Sequence, residues 1–363
     1  MDIYLDDITS LLLTRAIALN QSIQLVRSDA QTPTALCIRP VTLNRLQVPG
    51  LLSFLRVPED RRIGIVVPCA RDRVRSQGIR CSVASHPRGD TPFLLLDSVD
   101  KDHPSSIVPC DSRVYVQSPA NIVLAMAQRV RRHEITGTYT SQQAILLMTK
   151  LCLELCGTYR HDPFEPLTGS VTYGLPPVLT TQSLLDFLQP HGTEQGLTLA
   201  RTAASLAYDL SGSPQESFLG PALFYSNSLG GLELCSFVAN KPLDLSPTER
   251  ASIGHRTITP DFSLPDYDSV VEYLGSVHNE GKNPEIDHVR SLDYSTLGKR
   301  EFGFWYDDVK TQNAFITSAM RIVAVIEQKD GAGVKRRIAR LLRNPSFIKK
   351  QADLFAVFRP WLR

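Results

Sequence analysis

Apolar positions along this chain change their period several times, and each change marks an element. Residues 11–19, LLLTRAIAL, repeat at helical spacing, and prolines at 40 and 49 then interrupt the pattern. Between residues 62 and 118 the short apolar runs RIGIVV, FLLLDSV, SIVPC and VYVQS alternate with Arg, Gly, Pro and Asp clusters, which predicts short strands joined by turns. Ser118-Pro119 opens a helix, because proline lacks the N–H that a first turn would leave unpaired, and ANIVLAMAQRV continues it. A second helix runs from about Ser141 to Cys156 and stops at Gly157 in a C-capping role. The two helices are expected to pack as a hairpin.

From Asp162 to Pro177 four prolines and two glycines predict a loop or linker. Helical spacing resumes in SLLDFL and LTLARTAASLAYDL. Ser213-Pro214-Gln215-Glu216 then has the spacing of a capping box. Beyond it short strands and helices alternate: PDFSL and SVVEYLG as strands, IDHVRSLDYSTL as a helix, EFGFWY as a strand and AFITSAMRIVAVIEQ as a long helix. This pattern predicts a compact α/β unit with four or five strands. The expected organisation is a mixed α+β region over 1–160, a linker and leading helix over 161–199, the α/β unit over 200–325 and a basic helical extension over 326–363.

A hydrophobic fraction of 42% over 363 residues supports folded domains rather than disorder. The first apolar run, Leu11 to Leu13, breaks at Arg15, so neither a secretory signal nor a membrane span is expected and a cytoplasmic location follows. Seven scattered cysteines without a C-x-x-C pair read as free thiols. The net charge of +2 gives no global pull on nucleic acid, but residues 321–363 carry eleven Lys or Arg against three acids. Lys335, Arg336, Arg337, Arg340 and Arg343 form a stripe able to hold phosphates, or a solvated helix face.

Candidate chemistry concentrates between Thr259 and Arg290, where Asp261, Glu272, His278, Asp287 and Arg290 surround one valine-rich strand. A turn at Pro265-Asp266 would bring Asp261 and Glu272 together. In SVVEYLG, Val270, Glu272 and Leu274 share one face. A glutamate among valines needs compensation, from a metal, a cleft or a basic partner such as Arg290 or Arg256. Two carboxylates are the hard oxygen ligands that Mg²⁺ or Mn²⁺ takes, and His278 has the ordinary pKa of a proton-transfer group. Duller roles stand beside these: Asp261 as a turn cap, Glu216 as its helix's capping residue, and Asp287 with Arg290 as a neutralising pair.

In order, Ser213-Pro214-Gln215-Glu216, Pro260-Asp261, Val270-Val271-Glu272 with Gly275 and His278, and Asp287-His288-Val289-Arg290 resemble the PD-(D/E)XK nuclease superfamily, in the branch of the very-short-patch-repair endonuclease. The resemblance implies a restriction-endonuclease-like three-layer α/β core with a small mixed sheet, and a metal-dependent DNA endonuclease or nickase. It implies that Asp261 and Glu272 hold Mg²⁺ or Mn²⁺, that Glu216 assists, and that His278 is the general acid or base. Asp287 and Arg290 would fasten a helix and meet phosphate, as would Lys335, Arg336 and Arg337. Leu274 stands where the superfamily carries its lysine, and Lys282 in the following loop is a candidate replacement. Leucine neither binds metal nor activates water, so the alternative is a DNA-binding or regulatory module with weak or absent cleavage. Ser118-Pro119 and the Glu154–Tyr159 segment resemble, weakly, bacterial abortive-infection antitoxins, which implies a defence setting. Pairing through exposed strand edges would give a homodimer.

Overall fold

The computed structural model describes residues 2–18, 22–33, 62–73, 79–83, 89–99, 102, 113–189, 192–253, 257–275, 284–331 and 333–359, with the backbone alone over 284–287. The chain divides into two compact units, one of Met1–Thr138 with Arg160–Ser205 and the other of Tyr139–Tyr159 with Leu206–Arg363.

In the first unit β1 (Asp2–Tyr4) leads into α1 (Asp7–Ile17), whose N-cap Asp6 accepts the Thr9 N–H at 2.9 Å. Next come β2 (Ile23–Arg27), β3 (Ile63–Val67), β4 (Ile79–Val83), β5 (Phe93–Ser98), β6 (Arg113–Gln117) and α2 (Pro119–Ile135). One sheet has the order β1-β6-β5-β2, with β1 parallel to β6 and the other pairs antiparallel; β3 and β4 form a separate parallel pair. Every residue of β3, IGIVV, is buried, as its unbroken apolar run implies. Gly64 in that strand lies against the buried Asp6 carboxylate, where a Cβ would stand only 2.0 Å from carboxyl atoms. Asp6 in turn pairs with Arg80 at 2.5 Å.

The chain then enters the second unit with α3 (Ser141–Cys156) and returns to the first for β7 (Arg160–His161), β8 (Val171–Thr172), α4 (Thr181–Leu188) and α5 (Leu197–Leu206). The helices α2 and α3, expected to pair as a hairpin, fall in different units. Leu146 and Leu153 of α3 join the large core of the second unit, and Gln142 and Lys150 donate to the backbone carbonyls of Lys350 (2.7 Å) and Val357 (3.0 Å). Gly157 does end α3, but with φ −89° rather than in the left-handed region. Its reason is space: a Cβ there would lie 2.6 Å from the Leu153 carbonyl oxygen and 2.8 Å from that of Ser211.

The second unit continues with α6 (Pro214–Phe224), β9 (Val238–Ala239), α7 (Pro247–Ser252), β10 (Phe262–Leu264), β11 (Ser269–Tyr273), α8 (Pro284–Thr296), β12 (Arg300–Phe304), α9 (Tyr306–Val309), α10 (Gln312–Asp330), α11 (Gly333–Leu341) and α12 (Pro345–Phe358). Its sheet is mixed, in the order β12-β11-β10-β9, with β9, β10 and β11 antiparallel and β12 parallel to β11. The β10–β11 turn is a short 3₁₀ segment, Pro265–Tyr267, followed by Asp268 at φ 45°. Alternation along β11 separates two interiors. Val271 and Tyr273 join Phe262, Phe302 and Phe304 in a large core with Phe218, Phe315 and Phe355, while Val270 joins Ile258 and Tyr294 of α8 in a smaller one. Phe302 and Phe304 are thus core residues, whereas Trp305 is 54% exposed.

The five described cysteines are free thiols, with Cys152 and Cys156 buried, and no described helix is long and apolar enough to cross a membrane. The Phe315 ring packs edge-on to Phe218 at 6.0 Å and Phe355 at 5.6 Å between centroids. Phe315→Ala should lower stability by about 3–5 kcal/mol, as expected for a buried aromatic cut to alanine. Urea denaturation followed by circular dichroism measures this, and a loss under about 1 kcal/mol would contradict the packing described.

Candidate functional site

Three acids from three elements gather beside β11. Glu272 sits within the strand at 2% exposure, with apolar neighbours in sequence on both sides. Its Oε1 takes a 2.7 Å ion pair from Arg290 Nη2 and a short hydrogen bond from the Tyr294 hydroxyl. Its Oε2 faces the Asp261 backbone N–H at 3.5 Å. Arg290 and Tyr294 are four residues apart on α8, so both reach the strand from one helix face. Arg290 Nη2 also donates to the Thr259 carbonyl at 2.5 Å, and its Nε to the Tyr294 hydroxyl at 3.3 Å.

Asp261 stands one residue before β10, whose Phe262 pairs with Val271. Its Oδ2 accepts the Tyr273 N–H at 2.7 Å, so the carboxylate extends the hydrogen-bond ladder past the end of β10. Glu216 enters from the first turn of α6. Ser213 accepts the Glu216 N–H at 3.1 Å, but the Glu216 carboxylate reaches the Gly212 N–H at 2.7 Å rather than that of Ser213. Only half of the expected capping box is therefore made. The Tyr208 hydroxyl donates to the Glu216 carbonyl at 2.8 Å, passing so close to Gly220 that a Cβ there would stand 2.6 Å from it.

Burial pushes both Glu216 and Glu272 well above the usual carboxylate range, and the Asp261 charge adds to it in both cases. Arg290 and the Tyr294 hydroxyl oppose the shift at Glu272 without cancelling it. Burial works against the Arg290 charge, but Glu272 overrides it and holds the guanidinium above its ordinary range. Among the described residues, three carboxyls thus face the single guanidinium of Arg290. Leu274, two residues beyond Glu272, covers Gly303 of β12, where a Cβ would meet its Cδ1 at 2.4 Å. The position of the expected lysine is an apolar wall. Gly275 gives room to the Tyr273 ring, whose Cε1 would lie 2.4 Å from a Cβ there.

Chemically, the oxygen donors suit Mg²⁺ or Mn²⁺. In the arrangement seen, Glu272 commits Oε1 to Arg290 and Tyr294, Asp261 commits Oδ2 to the Tyr273 amide, and among the described residues no group of three or more His, Cys, Asp or Glu is placed to hold a metal ion. His278, Lys282 and Arg256 lie outside the described residues, as does the side chain of Asp287. On α11, Lys335, Arg336, Arg340 and Arg343 are exposed in or just beyond the helix. Arg337 departs from the expected stripe: it donates to the carbonyls of Leu232 at 2.9 Å and Glu233 at 2.7 Å, and so fastens α11 instead of facing solvent. Tyr294 and Tyr208 were not among the residues singled out from sequence. The four-residue spacing from Arg290 was the one signal for Tyr294.

Arg290→Ala would leave the buried Glu272 carboxylate without its counter-charge, at an expected cost of about 3–5 kcal/mol near neutral pH. Glu216 gives a pH test. Its folded value is raised above the ordinary 4.5, so its contribution to stability is complete below that pH and is lost as pH rises through the raised value. Glu216→Gln should flatten that decline in urea midpoints taken between pH 5 and 8; parallel curves for the two proteins would refute the assignment.

No protein-family model, no curated protein and no solved structure matches the chain.

Proposed function

We propose that the second unit is a nuclease-type module of the PD-(D/E)XK kind that engages DNA, with its acidic site compensated in part by an internal arginine rather than by a metal. The observation that carries this reading is Glu272, a strand carboxylate that draws its counter-charge from Arg290 and a hydrogen bond from Tyr294, with Leu274 in the lysine position. The element order supports the nuclease-type assignment: helix α6, antiparallel β9, β10 and β11, crossover helix α8 and parallel β12. The exposed cations of α11 supply the phosphate-binding chemistry, since phosphate contacts dominate affinity for DNA without requiring base readout.

A second reading, a Mg²⁺- or Mn²⁺-dependent DNA endonuclease or nickase, is favoured by the convergence of Glu216, Asp261 and Glu272, which one guanidinium leaves under-compensated. It requires Arg290 to release Glu272 Oε1. A bacterial defence role belongs with either reading.

Fluorescence anisotropy with labelled single- and double-stranded DNA tests the proposal. Lys335→Glu and Arg340→Glu should each weaken binding and lower the slope of log affinity against log salt by about one per lost phosphate contact. Absence of binding at low salt would sink it. Plasmid nicking in Mg²⁺ or Mn²⁺ by the wild type, but not by Glu272→Gln, would establish the second reading in its place.

A further inference from the structure

The first unit carries a half-open cavity of about 440 Å³ with the exposed Arg73 and Arg132 among its lining residues, within the range of pockets that take small organic ligands. One wall is α2, where Asn121, Ala125, Gln128 and Arg132 recur at intervals of four, three and four residues. That spacing turns a single helix stripe inward. The facing surface includes Val66 at the end of β3 and Phe93 at the start of β5, both buried, and Gln117 closes β6 beside them. The helix thus turns Asn121, Gln128 and Arg132, with Leu124 and Ala125 between them, toward a facing surface in which Val66, Val83 and Phe93 lie beside Cys81 and Ser82.

The charge is one-sided. The lining holds the guanidinium groups of Arg73, Arg129 and Arg132 against one carboxylate, Asp7. Arg129 engages Asp7 through both nitrogen donors, at 2.9 Å from Nε and 2.7 Å from Nη2, so that acid is already neutralised. Arg73 and Arg132 remain, and forked guanidinium donors match the oxygen geometry of a phosphate. The amides of Gln117 and Gln128 each offer a donor and an acceptor, which is what the edge of a nitrogen heterocycle requires.

We propose that this cavity binds a small phosphorylated ligand carrying a planar, hydrogen-bonding group, the chemistry of a mononucleotide. Arg73 and Arg132 take the phosphate, Gln117 and Gln128 take the heterocycle edge, and Val66 and Phe93 cover its face. The site stands on the first unit alone and is independent of the reading given for the second.

Isothermal titration of the full chain with AMP, GMP, CMP and UMP, and separately with inorganic phosphate and with the four nucleosides, tests this. At least one mononucleotide should bind saturably at one per chain, and phosphate or nucleoside alone should bind about tenfold weaker or worse. Arg132→Glu and Arg73→Glu should each weaken mononucleotide binding by about tenfold or more, with the ligand-free unfolding midpoint unchanged. No saturable binding by any of the four overturns the proposal. So does equal binding of nucleoside and nucleotide, indifference to both substitutions, or binding of an oligonucleotide where no mononucleotide binds.

Discussion

A carboxyl at the centre of a buried strand needs a counter-charge, or must give up its own charge by keeping a proton. In the second unit this falls on Glu272, and the surrounding structure is arranged around the answer. Charge left uncompensated in such a place costs several kcal/mol, comparable to the whole stability of a domain. Arg290 provides the charge, which fixes α8 against β11; the Thr259 carbonyl accepts from the same Nη2 nitrogen. Tyr294 brings its ring into the small core with Val270 and Ile258 while its hydroxyl serves the carboxylate. Helix, strand and the approach to β10 are thus tied through one side chain.

Around that pair the remaining acids do backbone work. Asp261 completes a ladder that β10 is too short to complete, and Glu216 covers an amide ahead of α6. Such carboxylates lie close enough to raise one another's cost of ionising, which is the property shared by sites that handle protons, cations or phosphate. Here the same closeness is also explained by structure, since each carboxylate oxygen named has a hydrogen-bond donor of its own.

Much of the second unit was legible in the sequence. The runs PDFSL, SVVEYLG and EFGFWY each become a strand, and the Pro265-Asp266 turn between the first two sets Asp261 beside Glu272, because strand alternation and turn chemistry are local properties. The pairing of Glu272 with Arg290 was one of several compensations left open, and choosing among them required knowing where α8 crosses the sheet. Three features escaped for a common reason. The division of α2 and α3 between the two units, the docking of Arg337 on the carbonyls of Leu232 and Glu233, and the cavity lined by α2 all depend on partners far away in the chain. Gly157 illustrates a subtler limit: its position at a helix end was readable, but its reason, a close pass by the Ser211 carbonyl, was not.

The partnership of α3 with α12 also bears on the order in which this protein can be made. Gln142 and Lys150 wait for carbonyls 208 and 207 residues downstream. During vectorial synthesis α3 leaves the ribosome with its leucines and Cys152 uncovered, and the intervening first-unit segments emerge before any of its partners exist. Closing so long a loop is slow compared with local folding. A nascent chain therefore carries an apolar helix that gains first cover from α6 and its last partner only with α12, and that interval is when chaperone capture would act on it.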